Sequence, residues 1–193
     1  NTFLSVEDIL ASIRNVRGVD RLLKSVRRDR EAAVTGPVAS GAAVICAVLM
    51  EISPDPALVV CPGVEYAEEF AEDVNLVKEG MACHFPALEI LPGDNEAPNE
   101  ALVKSRLSVL RHMVFGTTEA GGAELLEPEP QTRLISASIN ALLQPTCGVE
   151  RLRRGARTVA LGQNLTPRQL VEWLVDNGFY SVPQVEEPGQ YSL

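Results

Sequence analysis

The chain has 193 residues, of which 46% are hydrophobic and 22% charged, with a formal net charge of −9. These values exclude a disordered chain and weigh against nonspecific binding to polyanions, because affinity for nucleic acid rests on phosphates neutralised by Lys and Arg. No run of about 20 apolar residues can span a bilayer, and the opening "NTFLSVEDIL" lacks the basic start and apolar core of a signal peptide, so a cytoplasmic protein with no membrane partner is expected. Cys46, Cys61, Cys83 and Cys147 form no CxxC pair and have only His84 and His112 for company, which predicts buried free thiols and no metal site.

A chain of this length buries roughly 70% of its unfolded surface, enough for one full core and a smaller second lobe. The first thirty residues read as one or two amphipathic helices, with Ser5 as N-cap and Ile9, Leu10, Ile13, Leu22, Leu23 and Val26 near the helical period. Arg14, Arg17, Arg21, Lys24 and Arg28 recur at spacings of three and four. Gly18 is expected to break this basic stripe, which reads as a solvated face.

The chain then alternates between the two periods. The pattern predicts a strand ending near Val34, a helix after Ser40, the strand "ALVVC" at 57–61 and a helix from Val64 to Val77. A strand "ALEIL" at 87–91 follows, then a helix after Pro98 through Met113 and the strand "RLISAS" at 133–138. Strand alternating with helix predicts α/β architecture, a parallel sheet with helices on both faces. The stretch 115–132, rich in Gly, Pro, Thr and Glu, reads as a surface insertion.

Between the first expected strand and its helix, "AAVTGPVASGAAVICAVLM" keeps the frame of a phosphate-binding P-loop. Gly36 and Gly41 have the required spacing, but Ala42 and Ala43 stand where the Lys and the Ser or Thr belong. The Lys neutralises the outer phosphates and the hydroxyl holds Mg²⁺, so the frame is present without its chemistry, and no nucleotide, metal or other cofactor is expected here. The two glycines are expected to allow a tight strand-to-helix turn at the carboxyl end of a strand.

After "INALLQPTCG" the style changes, placing a boundary between a domain at 1–147 and a small α+β lobe beginning at 148. A strand "RTVALG" leads into "LTPRQLVEWLVDNGF", in which Thr166, Pro167 and Gln169 make a capped helix start and Gly178 a stop. Leu170, Trp173 and Leu174 form its apolar stripe, and Trp173 reads as core. The strand "YSVPQVEE" and the turn "PGQ" are expected to open a hairpin whose second strand is incomplete after "YSL". Asp94, Glu96 and Glu100 cluster around Pro98 and read as support for a helix N-terminus, with no nucleophile or basic partner to make a catalytic or metal site.

Taken in order, "VTGPVASGAA", "LVVCPGVEYAEEFAEDV", "LPGDNEAPNEALVKSRLSVL", "ISASINALLQ" and "LTPRQLVEWLVDNGFYSVPQVEEPGQYSL" resemble the N-terminal region of the bacterial transcription-repair coupling factors, which is itself similar to the excision-repair subunit UvrB. The absence of tyrosine between Tyr66 and Tyr180, where UvrB carries a tyrosine-rich DNA-gripping hairpin, favours the coupling factors, as do Ala42 and Ala43.

The resemblance implies a non-catalytic module that recruits UvrA. It also implies a longer protein whose motor domains use ATP and Mg²⁺ to translocate on DNA and displace stalled RNA polymerase. It places the UvrA-docking surface on the second lobe, where Tyr180 and Ser181 stand about where an arginine is common and the next expected arginine lies beyond Leu193. Tyr180, Ser181, Tyr191 and Arg157 are therefore the candidate partner-binding residues, while Arg151, Arg153 and Arg154 fall outside the motif. The alternatives are a fragment of a UvrB-like or other P-loop NTPase that binds nucleotide, and a single-strand DNA-binding module. The first requires phosphate and Mg²⁺ ligands, and the second a basic, aromatic-lined groove. Weak DNA binding without sequence preference is the expectation.

Overall fold

The computed structural model describes all residues except 1–5, 37, 38, 54, 91–97, 117–131, 158, 160, 161, 187 and 188. The expected cap at Ser5, the acidic residues Asp94 and Glu96, most of the 115–132 insertion and half of the expected strand at 157–162 lie outside the described residues. The chain divides into two compact units, Asn1–Thr146 and Cys147–Leu193.

The first unit opens with α1 (Val6–Arg14) and α2 (Arg17–Asp29). The break between them falls at residues 15 and 16, ahead of Gly18, which sits in the first turn of α2. The basic stripe is largely spent on local pairing: Arg14 bonds Glu51, Lys24 Nζ lies 2.7 Å from Asp20 and Arg28 lies 2.8 Å from Asp29. Leu10 and Val19 bury themselves against Val48 of α3 (Ala39–Ile52), so the two helices dock on the outer side of α3.

Strands β1 (Ala57–Cys61), β2 (Ala82–Phe85) and β3 (Leu134–Ser138) form a parallel three-stranded sheet in the order β1-β3-β2. Helix α4 (Val64–Val77) covers one face and α5 (Glu100–Phe115) the other. The α/β expectation with helices on both faces is met. On the α4 side, Ala43 and Ala47 of α3 and Ala67 and Ala71 of α4 are all 0–1% exposed. Small residues at i, i+4 on both helices allow their backbones to approach closely, and Met50, Phe70, Val74 and Leu134 fill the core around them. Ser136 Oγ donates to the Ala67 carbonyl at 2.6 Å, which satisfies a buried hydroxyl of β3 on that face.

Two strand expectations are corrected. The strand after α4 is Ala82–Phe85 rather than 87–91. Its ladder ends before Pro86, which has no N–H to donate. Asn75 clamps the start of β2, its side chain donating to the Ala82 carbonyl and accepting from the Ala82 N–H, each at 2.9 Å. Residues 31–35 form no strand; they are exposed, and their alanines offer too little apolar area to hold a place in the sheet.

One more short helix precedes the second unit. Helix α6 (Ile139–Leu143) still belongs to the first unit and is capped by Ser138, which accepts from Ala141 N at 3.1 Å. Beyond it lie α7 (Val149–Gly155), α8 (Pro167–Asp176), β4 (Tyr180–Ser181) and β5 (Gln190–Tyr191). The capping box at Thr166 and Gln169 is formed. Gly178, at φ +84°, ends α8 with Phe179 N donating to Leu174 O and Gly178 N to Val175 O, both at 3.0 Å. No residue described in this unit is fully buried. Trp173 is therefore half-buried rather than core, its ring centroid 6.3 Å from that of Phe179. β4 and β5 pair in parallel, Tyr180 with Gln190 and Ser181 with Tyr191, so the expected antiparallel hairpin is also corrected.

Candidate functional site

The P-loop frame is built differently from the sequence expectation. Gly36 does turn the chain, with φ +105° and open space where a Cβ would stand. Helix α3, however, already includes Gly41, and no described strand leads into the loop, so the loop does not sit at the carboxyl end of a sheet strand. Ala43 is 0% exposed and Ala42 packs against the same core. The two positions that would carry the Lys and the hydroxyl thus face the protein interior, where they pack α3 close to α4.

Among the candidate partner-binding residues, the β4–β5 pairing brings Tyr180, Ser181 and Tyr191 together. Tyr180 is 52% exposed, and its hydroxyl accepts a hydrogen bond from Gln190 Nε2 at 2.9 Å, so the ring is held upright while its face stays open. Arg157 places its guanidinium 5.9 Å from the centroid of Trp173. Val149, Val159, Val175 and Val185 are each about half exposed. Arg153 is paired with Glu150 at 3.5 Å, in keeping with a solvated role.

Glu100 is exposed in the first turn of α5, where Asn99 is the cap, accepting from Ala101 N at 2.9 Å. Its carboxylate complements the helix N-terminus. Among the described residues no group of three His, Cys, Asp or Glu side chains is arranged to hold a metal ion, and no helix is long and apolar enough to cross a membrane.

Sequence reasoning misses a concave feature at the carboxyl edge of the sheet. A groove of about 1050 Å³ opens where β2 and β3 end, between the first turn of α4, residues 86–90, α5 and α6. His84 lies at its inner wall, 6% exposed, with Nε2 buried and without a hydrogen-bond partner. Burial holds this imidazole below its ordinary pKa, so it is neutral near pH 7. A lone His inside "MACHF" carries no motif, which is why sequence alone passes over it.

No protein-family model matches the chain. Three curated proteins do, all named transcription-repair-coupling factor. That of Escherichia coli (strain K12) is 25% identical over 150 residues, covering 78% of this chain and 12% of that protein. The Myxococcus xanthus protein is 28% identical over 145 residues, covering 72% of this chain and 11% of its own length. The Haemophilus influenzae protein is 24% identical over 161 residues, with coverages of 83% and 13%. By sequence the chain is similar, over most of its own length, to a small part of the transcription-repair coupling factors.

Proposed function

We propose that this chain is a non-catalytic recruitment module of transcription-coupled nucleotide excision repair, acting in the cytoplasm within a longer protein, and that its second unit is the face recognised by UvrA. The longer protein is an ATP-dependent DNA translocase that displaces stalled RNA polymerase, with ATP and Mg²⁺ handled outside this chain. The observation that carries the reading is the similarity to three coupling factors along most of the chain. The interior placement of Ala42 and Ala43 supports a role without nucleotide chemistry. The exposed Tyr180, paired beside Tyr191 and within a unit that leaves several valines open, supports recognition through surface complementarity, since exposed aromatics are good interface anchors.

The test is capture of purified UvrA by the immobilised chain, by a version ending at Thr146, and by the Tyr180→Ala and Arg157→Ala variants. Binding by the whole chain, loss in the version ending at Thr146 and weakening of about tenfold in Tyr180→Ala support the assignment. Equal capture by the version ending at Thr146 overturns it.

A further inference from the structure

We propose that the groove at the carboxyl edge of the first unit's sheet is a second, separate docking site, one that takes an arginine-bearing extended segment of a partner protein. The placement of three unpaired carboxylates around a buried, unpartnered imidazole points to this ligand. Glu65 and Glu68 project from the first turns of α4, and Glu89 comes from residues 86–90, which also line the groove. Among the described residues, none of these three carboxylates has a hydrogen bond or ion pair, and no Lys or Arg lines the groove.

His84 supplies an observation independent of these charges. A buried polar atom without a partner is destabilising, and native proteins rarely leave one so. His84 is one of the residues that line the groove, and a ligand group entering there completes the bonding of its buried Nε2. The neutral ring takes a hydrogen bond at one nitrogen and gives one at the other. A guanidinium has five N–H donors in a fixed fork, so one arginine can satisfy an imidazole nitrogen and a carboxylate together, which an ammonium point charge does less well.

The groove is also held in shape before any ligand arrives. Gln144 clasps Leu88 at both backbone groups, accepting from its N–H at 2.6 Å and donating to its carbonyl at 2.7 Å. Arg106 in turn donates to Pro86 O at 2.8 Å and to Gln144 Oε1 at 3.3 Å. A wall fixed in this way spares the ordering cost of binding. Exposed Val64 and Leu143 on the rim offer surface to the aliphatic stem of an arginine or to its apolar neighbours. The carboxylates repel a nucleic-acid backbone, and the net charge of −9 favours approach of a cationic partner.

The probe is a fluorescein-labelled peptide alternating leucine and arginine, compared with the same peptide carrying neutral citrulline in place of arginine. Binding is read by anisotropy at about 0.15 M salt, with the whole chain. The expected results are binding of the arginine peptide, and weakening of about tenfold for the citrulline peptide and for the Glu65→Gln, Glu68→Gln double variant. A control that removes the same charge from the second unit, Glu172→Gln with Asp176→Asn, should bind as the parent does. In the isotope-labelled parent chain the His84 ring resonances should shift on titration while those of His112 stay in place. The proposal is overturned by no binding tighter than about millimolar, by equal affinity for the citrulline peptide, by equal loss in the control, or by an unmoved His84. Because the site lies wholly in the first unit, removal of UvrA binding by changes in the second unit leaves this result untouched.

Discussion

The guanidinium of Arg106 lies 4.2 Å from the centroid of the Phe85 ring, 4% exposed, and is answered by carbonyls rather than by a carboxylate. Its donors reach Pro86 O, Ala141 O, Gln144 Oε1 and Pro145 O at 2.8–3.4 Å, so one side chain of α5 ties the end of β2 to α6 and the residues after it. Desolvation lowers its pKa from the ordinary arginine value, yet a guanidinium stays protonated at any working pH, and the charge is offset by these acceptors and the ring face.

Replacing Arg106 with Met keeps the volume but leaves several buried carbonyls unanswered. The expected cost is about 2–4 kcal/mol, with Arg106→Lys intermediate because one ammonium cannot reach the same set of acceptors. Urea unfolding followed by far-ultraviolet circular dichroism measures it. Tryptophan fluorescence is the wrong readout, since the chain's one tryptophan, Trp173, is in the second unit. A Met variant as stable as the parent would show that the carbonyl network contributes nothing.

Restoring the P-loop residues should not restore nucleotide binding. The Ala42→Lys, Ala43→Ser double variant puts a charge and a hydroxyl against the core that joins α3 to α4, with Ala43 at 0% exposure. A loss of about 1–3 kcal/mol in stability is expected, with no heat of binding on titration with Mg·ATP for variant or parent. A micromolar dissociation constant for the parent, abolished by a bulky residue at Gly41, would refute this account of the loop.

How far the fold was legible depended on the strength of each local signal. The 14 residues of α4 and the capping box of α8 were read to their ends, because apolar periodicity and cap chemistry are written in adjacent residues. β3, with every residue buried, shows as an apolar run and was placed correctly to within a residue. β2 was missed because "ACHF" is neither alternating nor β-branched, and "ALEIL" just beyond it looks more like a strand although it follows Pro86. Trp173 reads as core because an apolar pattern shows which side of a helix faces inward but not how deep each side chain lies. At the loop, the spacing of Gly36 and Gly41 was visible, whereas the absence of a preceding strand was a matter of competition for places in the sheet. The groove was invisible because its carboxylates and His84 come from separate stretches that only the β1-β3-β2 order brings together.

The thiols should separate by burial when the native protein is alkylated. Only the thiolate attacks iodoacetamide. Burial pushes the Cys83 thiol up to about 12, and desolvation also raises Cys46 and Cys61. Cys147 is half-buried in the second unit. At about pH 8, peptide mapping by mass spectrometry should find Cys147 modified first and Cys83 last, the difference vanishing in urea. Equal rates for Cys83 and Cys147 in the folded chain would contradict the close packing of β2 against α5.

Acid should destabilise the first unit through His84. Burial lowers its pKa in the folded chain, while the unfolded chain titrates near the ordinary value of about 6.5, so below that pH the unfolded state binds more protons than the native one. Stability from the neutral imidazole is thus fully present above about pH 6.5 and declines as the pH falls toward the lower folded value, by at most about 1.4 kcal/mol per pH unit. Glu65, Glu68 and Glu89, which line the same groove, and His112 on α5 are retained in a His84→Gln variant. The difference between parent and variant isolates the buried ring. Unfolding free energies measured by circular dichroism at steps between about pH 7.5 and 5 should show the parent losing stability relative to His84→Gln. Two parallel curves would mean that His84 meets water or a partner in the folded protein, and the unpaired Nε2 on which the groove's polarity rests would have to be abandoned.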